Sequence, residues 1–174
     1  MPKNKSFAKD MLTEWKSILL NPNSTLSKFK QHTLLVSTTY TFIAGFITAA
    51  IFMLVSYIIG QKTPAIILLT PLFVVFFMYL ATAFLWILGK LFGTNAKWQD
   101  WTAQYFAAWA PIGSLSGIQL IGPIAQLYGL YIGFLSIKHF MKLSNLKSWM
   151  ILGIYLAALF VFYLAYYPAY SMAQ

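Results

Sequence analysis

The chain has no cysteine and no arginine, three acidic residues, two histidines, and no charged residue inside any of its long apolar runs. Each shortage removes a class of function. Without cysteine there are no disulfides, no thiolate chemistry and no cysteine-ligated metal, although this alone leaves the compartment open. Asp10 and Glu14 fall in an N-terminal stretch, Asp100 at the edge of an apolar run, and His32 and His139 beside lysines at run ends. That set assembles into neither a catalytic pair nor a metal cluster. The sequence therefore predicts a non-enzymatic protein with no catalytic, cofactor-binding or metal-binding residue. A proton or ion path ordinarily shows an intramembrane ionisable residue. None is present, so proton-coupled transport has little support.

What the chain does have is apolar length. Of its 174 residues, 60% are hydrophobic and 18% aromatic against 9% charged, too little polar surface for a soluble domain of this size. This reads as an all-α integral membrane protein. The formal charge of +9 could suggest nucleic acid, but every basic residue is a lysine and nearly all lie in the short segments between apolar runs. Such a pattern is a topology signal, and no nucleic-acid partner is expected. The first apolar run begins near Leu34 and is too long for the core of a signal peptide.

Residues 1–32 form an amphipathic basic segment and residues 33–170 a membrane domain. From Ser6 to Leu20, the residues Phe7, Met11, Leu12, Trp15, Ile18 and Leu19 recur at helical spacing, with Lys9, Asp10, Glu14 and Lys16 largely on the other side. Asn21-Pro22 ends that helix. The stretch predicts an in-plane interfacial helix, with Lys9, Trp15, Lys16, Lys28 and Lys30 as candidate contacts to the lipid surface. A solvent-facing helix packed on the domain's own loops is the plainer alternative.

Five spans are expected, over about 34–59, 65–88, 101–115, 118–137 and 148–167. The first carries Ser37, Thr41, Gly45 and Ala49 at four-residue steps, a small face that lets another helix approach closely. In the second, Pro64 suits the first turn and Pro71 predicts a kink. Ser144-Asn145 suits the start of the last helix, and Pro168 its end.

The central stretch from Trp101 to Ile137 is uncharged and broken by Pro111, Gly113, Gly117, Gly122 and Pro123. As one helix it would run about 55 Å at about 1.5 Å per residue, against a hydrocarbon core of about 30 Å. It must fold back, with the reversal between Pro111 and Pro123. With two crossings, eleven lysines fall on one side and Lys62 alone on the other; with one crossing the division is eight to four. The positive-inside rule favours the former and puts the N-terminus in the cytosol, at the cytoplasmic (inner) membrane. A re-entrant hairpin satisfies the charge count equally well.

The polar intramembrane candidates are Gln104, Gln119 and Gln126, and Gly129-x-x-x-Gly133 adds a small-residue step. Helix packing and interhelical hydrogen bonding account for these residues most simply. A small channel or transporter with a polar path near Gln119 and Gln126 is the alternative.

Several stretches resemble the Yip family, specifically its short prokaryotic members: Trp15 to Phe29 (WKSILLNPNSTLSKF), Tyr105 to Pro111 (YFAAWAP), Ile124 to Leu135 (IAQLYGLYIGFL) and Leu146-Lys147. The resemblance covers most of the chain. It implies a five-helix membrane domain with a cytosolic N-terminus, and in eukaryotic members binding to Rab GTPases and a role in vesicle traffic or membrane shaping. The acidic Asp-Leu-Tyr-Gly-Pro element of eukaryotic members is absent, so no family site residue carries over. The expectation is a structural or membrane-organising module whose partners are membrane lipids, other membrane proteins or further copies of itself.

Overall fold

The computed structural model describes residues 7–116, 118 and 121–171, with side chains described as far as residue 164. Gln119 lies outside the described residues. The elements in order are α1 (Phe7–Leu20), α2 (Pro22–Ser27), α3 (Leu34–Ile58), a 3-10 helix (Ala65–Leu69), α4 (Thr70–Leu91), α5 (Trp98–Leu115), α6 (Gly122–Phe140) and α7 (Asn145–Ser171). Among the described residues there is no strand.

Among the described residues, three segments are long and apolar enough to cross a membrane: Leu34–Ile58, Ala65–Leu91 and Asn145–Leu164. Their most apolar windows are only 28%, 17% and 17% buried within the protein. That much exposed hydrocarbon requires lipid. On this criterion the expected five spans are reduced to three, because α5 and α6 form the central hairpin without being apolar enough to qualify. The polar first turns of α5, with Gln99, Asp100 and Gln104, and the Lys138-His139 end of α6 lower their apolarity.

The reversal falls between Leu115 and Gly122, inside the expected window. Glycine is needed at its end, since a Cβ on Gly122 would lie 3.0 Å from the Ser116 carbonyl oxygen. The prolines behave differently from expectation. Pro111 sits inside α5 and does not break it. Neighbouring hydroxyls take up carbonyls around it: Ser114 Oγ donates to the Pro111 oxygen at 2.8 Å and Thr48 Oγ1, from α3, to the Gly113 oxygen at 2.8 Å. The carbonyl that Pro111 leaves without its helical donor is that of Ala107, one turn earlier. Pro71 does not kink a continuous helix; it stands in the first turn of α4, after the 3-10 segment. Nor does Pro168 end α7, which continues to Ser171.

The small face of α3 is where the bundle closes. Ser37, Thr41, Gly45 and Ala49 are all buried. Thr41 Oγ1 reaches the Phe106 carbonyl at 3.5 Å and Thr48 Oγ1 the Gly113 carbonyl, both across a separation of 65 residues. The constant offset means that α3 and α5 run parallel, with α4 antiparallel to both. A Cβ on Gly45 would sit 2.8 Å from Pro71 Cα, so α4 approaches α3 at backbone contact. α5 is the innermost helix, with twelve of its 18 residues buried.

The apolar face of α1 is corrected from lipid-facing to protein-facing. Met11, Trp15 and Ile18 are buried, and Trp15 packs edge-on against Tyr40 at 6.4 Å, in a cluster with Ala44, Ala107 and Ala110. The small residues of α5 leave a groove that the indole fills. At the other end of α1, Tyr128 OH lies 3.2 and 3.0 Å from the Ile18 and Leu19 carbonyls and donates to them. These belong to the last turn, whose carbonyls have no partner within the helix. Phe7, Leu12 and Leu20 remain exposed.

Candidate functional site

The polar residues gather at one end of the bundle, where three connections meet: residues 21–33, 92–97 and 141–144. Thr94 ties two of them together. Its hydroxyl donates to the Met141 carbonyl at 2.7 Å and accepts from the Ala96 amide at 3.2 Å. Gly93 and Lys142 both take positive φ, 90° and 54°, which lets each connection turn tightly. Lys147 Nζ donates to the Phe92 carbonyl at 2.9 Å, and Ser144 Oγ accepts from the Lys147 amide at 3.4 Å, the expected cap on α7.

Two side-chain pairs stitch the N-terminal segment to this end, Gln31–Asp100 and Asn23–His139, and a third, Glu14–His32, ties α1 to its own connection. His32 Nε2 and Glu14 Oε1 lie 2.7 Å apart. Gln31 Nε2 donates to Asp100 Oδ1 at 2.8 Å. His139 Nε2 lies 2.9 Å from Asn23 Oδ1, and because that oxygen only accepts, Nε2 carries the proton. Burial, and next the Lys138 charge, hold the His139 imidazole below its ordinary pKa, so at neutral pH it is uncharged. Trp86 and Trp98 pack edge-on at 5.9 Å beside Lys90, at the level expected of a membrane boundary.

Between these stitches lies a cavity of about 430 Å³, whose wall includes Gln31, Lys97, Asp100, Gln104, His139 and Lys142. Gln31 and Asp100 also line a second cavity of about 420 Å³ together with His32 and Gln99.

Of the glutamines and glycines singled out in the sequence, Gln104 lies at this site, while the described others, Gln126, Gly129 and Gly133, lie elsewhere on the hairpin. Gln126 is exposed on α6, beside a groove shared with Tyr105, Gly129 and Tyr155. With Gly129 opposite Ile112 and Gly133 opposite Tyr105, Gln126 lies far along the hairpin from Gln104. Gly129 and Gly133 are packing positions: a Cβ would stand 3.4 Å from Ile112 Cγ2 at the first, and 3.8 Å from both Leu152 Cδ1 and Tyr105 OH at the second. Lys9, Lys16, Lys28 and Lys30 are exposed. Sequence reading missed Glu14 with His32, Gln31 with Asp100, and Thr94. Their only signal was polarity in short connections, which does not tell which connections meet.

Among known families, the Yip1 domain profile matches residues 16–167. No curated protein and no solved structure matches the chain. The match begins at α1, runs through the stitched connections and the hairpin, and ends within α7, so it takes in every element described above. The chain is a membrane protein that belongs to the Yip1 domain family.

Proposed function

We infer that this protein is a non-enzymatic, membrane-organising module of the Yip type, set in the cell membrane with its lysine-rich end and N-terminus in the cytosol. Five helices cross or enter the bilayer, α5 and α6 as a hairpin surrounded by the other three. The lysine-rich end engages anionic lipid or a partner protein. The observation that carries this reading is the convergence of the lysine-bearing connections on one end, where the N-terminal segment is fixed to the bundle through Gln31–Asp100 and Asn23–His139. Each lysine near an anionic surface contributes on the order of 1 kcal/mol, and the attraction is screened by salt. Gln126 lines the groove beside Tyr105 and Tyr155 while Gln104 lies at the other end of the hairpin, so the two glutamines do not line one common path.

Because the chain has no cysteine, single cysteines report topology cleanly. Cysteine at Asn145 should be labelled from the cytosolic side, and at Gln61 or Gln174 from the opposite side. Labelling at Gln174 from the cytosol alone would sink the five-helix reading. In mixed vesicles, replacing Lys16, Lys28 and Lys30 together by Gln should reduce the enrichment of anionic lipid around the protein. Enrichment unchanged by the substitutions and by salt would show that these charges are not the cause.

A further inference from the structure

The cavity of about 430 Å³ at the lysine-rich end falls within the roughly 300–1,000 Å³ typical of small-molecule sites. Its wall carries both signs of charge: Asp100 faces the same space as Lys97 and Lys142, with the amides of Gln31 and Gln104 between them in kind. Among the described residues no lysine is in direct ion-pair contact with Asp100. Gln31 uses one of about four lone-pair directions of the Asp100 carboxylate and holds it in place, leaving the rest to accept from a ligand.

The positive side is likewise fixed by the backbone. Lys97 occupies the N-cap of α5, where Ser, Thr, Asp or Asn would ordinarily accept from the first-turn amides, and it makes no such bond. Lysine has no acceptor to offer. Lys97 and the first-turn Asp100 thus stand at the same end of α5, three residues apart, with opposite charges. Lys142 is held at a φ of 54° next to Met141, whose carbonyl is tied to Thr94. His139 is uncharged at neutral pH and adds a polar ring without a further charge.

A simple anion entering this cavity would meet Asp100, and a simple cation would meet the two lysines. Both are satisfied by one molecule carrying both charges a few bonds apart. We propose that the cavity binds a zwitterionic headgroup made of a phosphate and an ammonium. The phosphate sits toward Lys97 and Lys142, the ammonium toward Asp100, and Gln31 and Gln104 orient the group. That the source is a membrane phospholipid rests on the reading that this end lies at the membrane boundary; the chemistry of the cavity does not depend on it.

The test uses the full chain in an uncharged maltoside detergent, titrated calorimetrically with four probes. These are dihexanoyl-phosphatidylethanolamine, dihexanoyl-phosphatidylglycerol, free phosphoethanolamine and inorganic phosphate. The ethanolamine lipid should bind roughly tenfold or more tightly than the glycerol lipid, the scale of one charge-assisted hydrogen bond. Asp100→Asn keeps an acceptor for Gln31, and should erase that preference while leaving phosphate-bearing probes bound. Lys142→Asn, which tolerates positive φ, should weaken every phosphate-bearing probe together and supplies a second reading if Asp100→Asn misfolds. Free phosphoethanolamine binding as tightly as the lipid would support the site and assign it to a soluble ligand. Equal affinity for both lipids, or an ethanolamine preference that survives Asp100→Asn, would overturn the proposal. That result would leave the topology and anionic-lipid measurements untouched, so the two readings fail separately.

Discussion

α5 and α7 are opposites. α5 has 18 residues and carries Gln99, Asp100 and Gln104 in its first two turns, yet twelve of its residues are buried. α7 has 27 residues, and from Gly153 to Leu164 every side chain except Tyr155 is exposed. In a soluble protein the most apolar helix is the buried one; here the order is reversed. Lipid is as apolar as leucine, so hydropathy records which helix faces hydrocarbon, while burial follows small residues and hydroxyls that let backbones approach. This is why a criterion of length and apolarity finds α3, α4 and α7 and passes over the hairpin at the centre.

The comparison is most sharply tested by truncating an equivalent side chain on each helix. Phe106 is fully buried on α5 and meets Tyr79 edge-on at 4.8 Å, whereas Phe160 on α7 is 60% exposed. Phe106→Ala should destabilise the bundle by about 3 kcal/mol, the low end for buried aromatics, because in lipid only the packing contribution is lost. Phe160→Ala should leave the unfolding midpoint in detergent nearly unchanged. Equal losses at the two sites would break the contrast.

A smaller effect separates two glycines. At Gly45 a Cβ would meet the Pro71 backbone at 2.8 Å, while around Gly153 nothing lies within 4 Å. Gly45→Ala must push α4 away from α3, a strain of about 1–3 kcal/mol. Gly153→Ala should be neutral or slightly stabilising, since alanine is the better helix former by up to about 1 kcal/mol. Smaller again are the hydroxyl contacts that set α3 and α5 in register. Interhelical hydrogen bonds in membranes average about 0.6 kcal/mol, so Thr48→Val should lower stability by about that amount, measured by the same unfolding assay. A loss of several kcal/mol would mean that the Pro111 region depends on this hydroxyl to remain helical.

Much of this architecture is legible in the sequence. Three of the five expected spans follow from apolar length, the reversal from the charge-free stretch between Asp100 and Lys138, the small face of α3 from its four-residue steps, and the cap on α7 from Ser144. The prolines misled: Pro111 stays helical inside α5, in its last turn or so, and Pro71 starts a helix instead of bending one. Trp15 misled as well. An amphipathic period announces an apolar face without naming its partner, and here the alanines of α5 claim it before lipid can. The candidate site was least legible. Gln31 and Asp100 are 69 residues apart, and Asn23 and His139 are 116 apart. Only Gln104 was singled out in advance.

The smallest expected effect concerns the stitched end. His139 lies two residues beyond the apolar stretch and contacts Asn23, with Lys138 beside it and Asp100, Lys97 and Lys142 lining the same cavity. Burial lowers its pKa in the folded protein, so the folded state holds the proton less tightly than the unfolded chain, where the value is near 6.5. As pH falls through about 6.5, the unfolded state takes up protons first and stability declines, levelling off below the folded pKa. Above that window the contribution is fully present. His139→Gln keeps a donor for Asn23 Oδ1 but cannot titrate, so the difference between wild type and variant isolates this group from the acids. The unfolding midpoint of the wild type in detergent should fall more between pH 7.5 and pH 5.5 than that of the variant. Parallel pH profiles would show that His139 titrates alike in both states, and that the Asn23 contact does not hold the N-terminal segment to the bundle through a neutral imidazole.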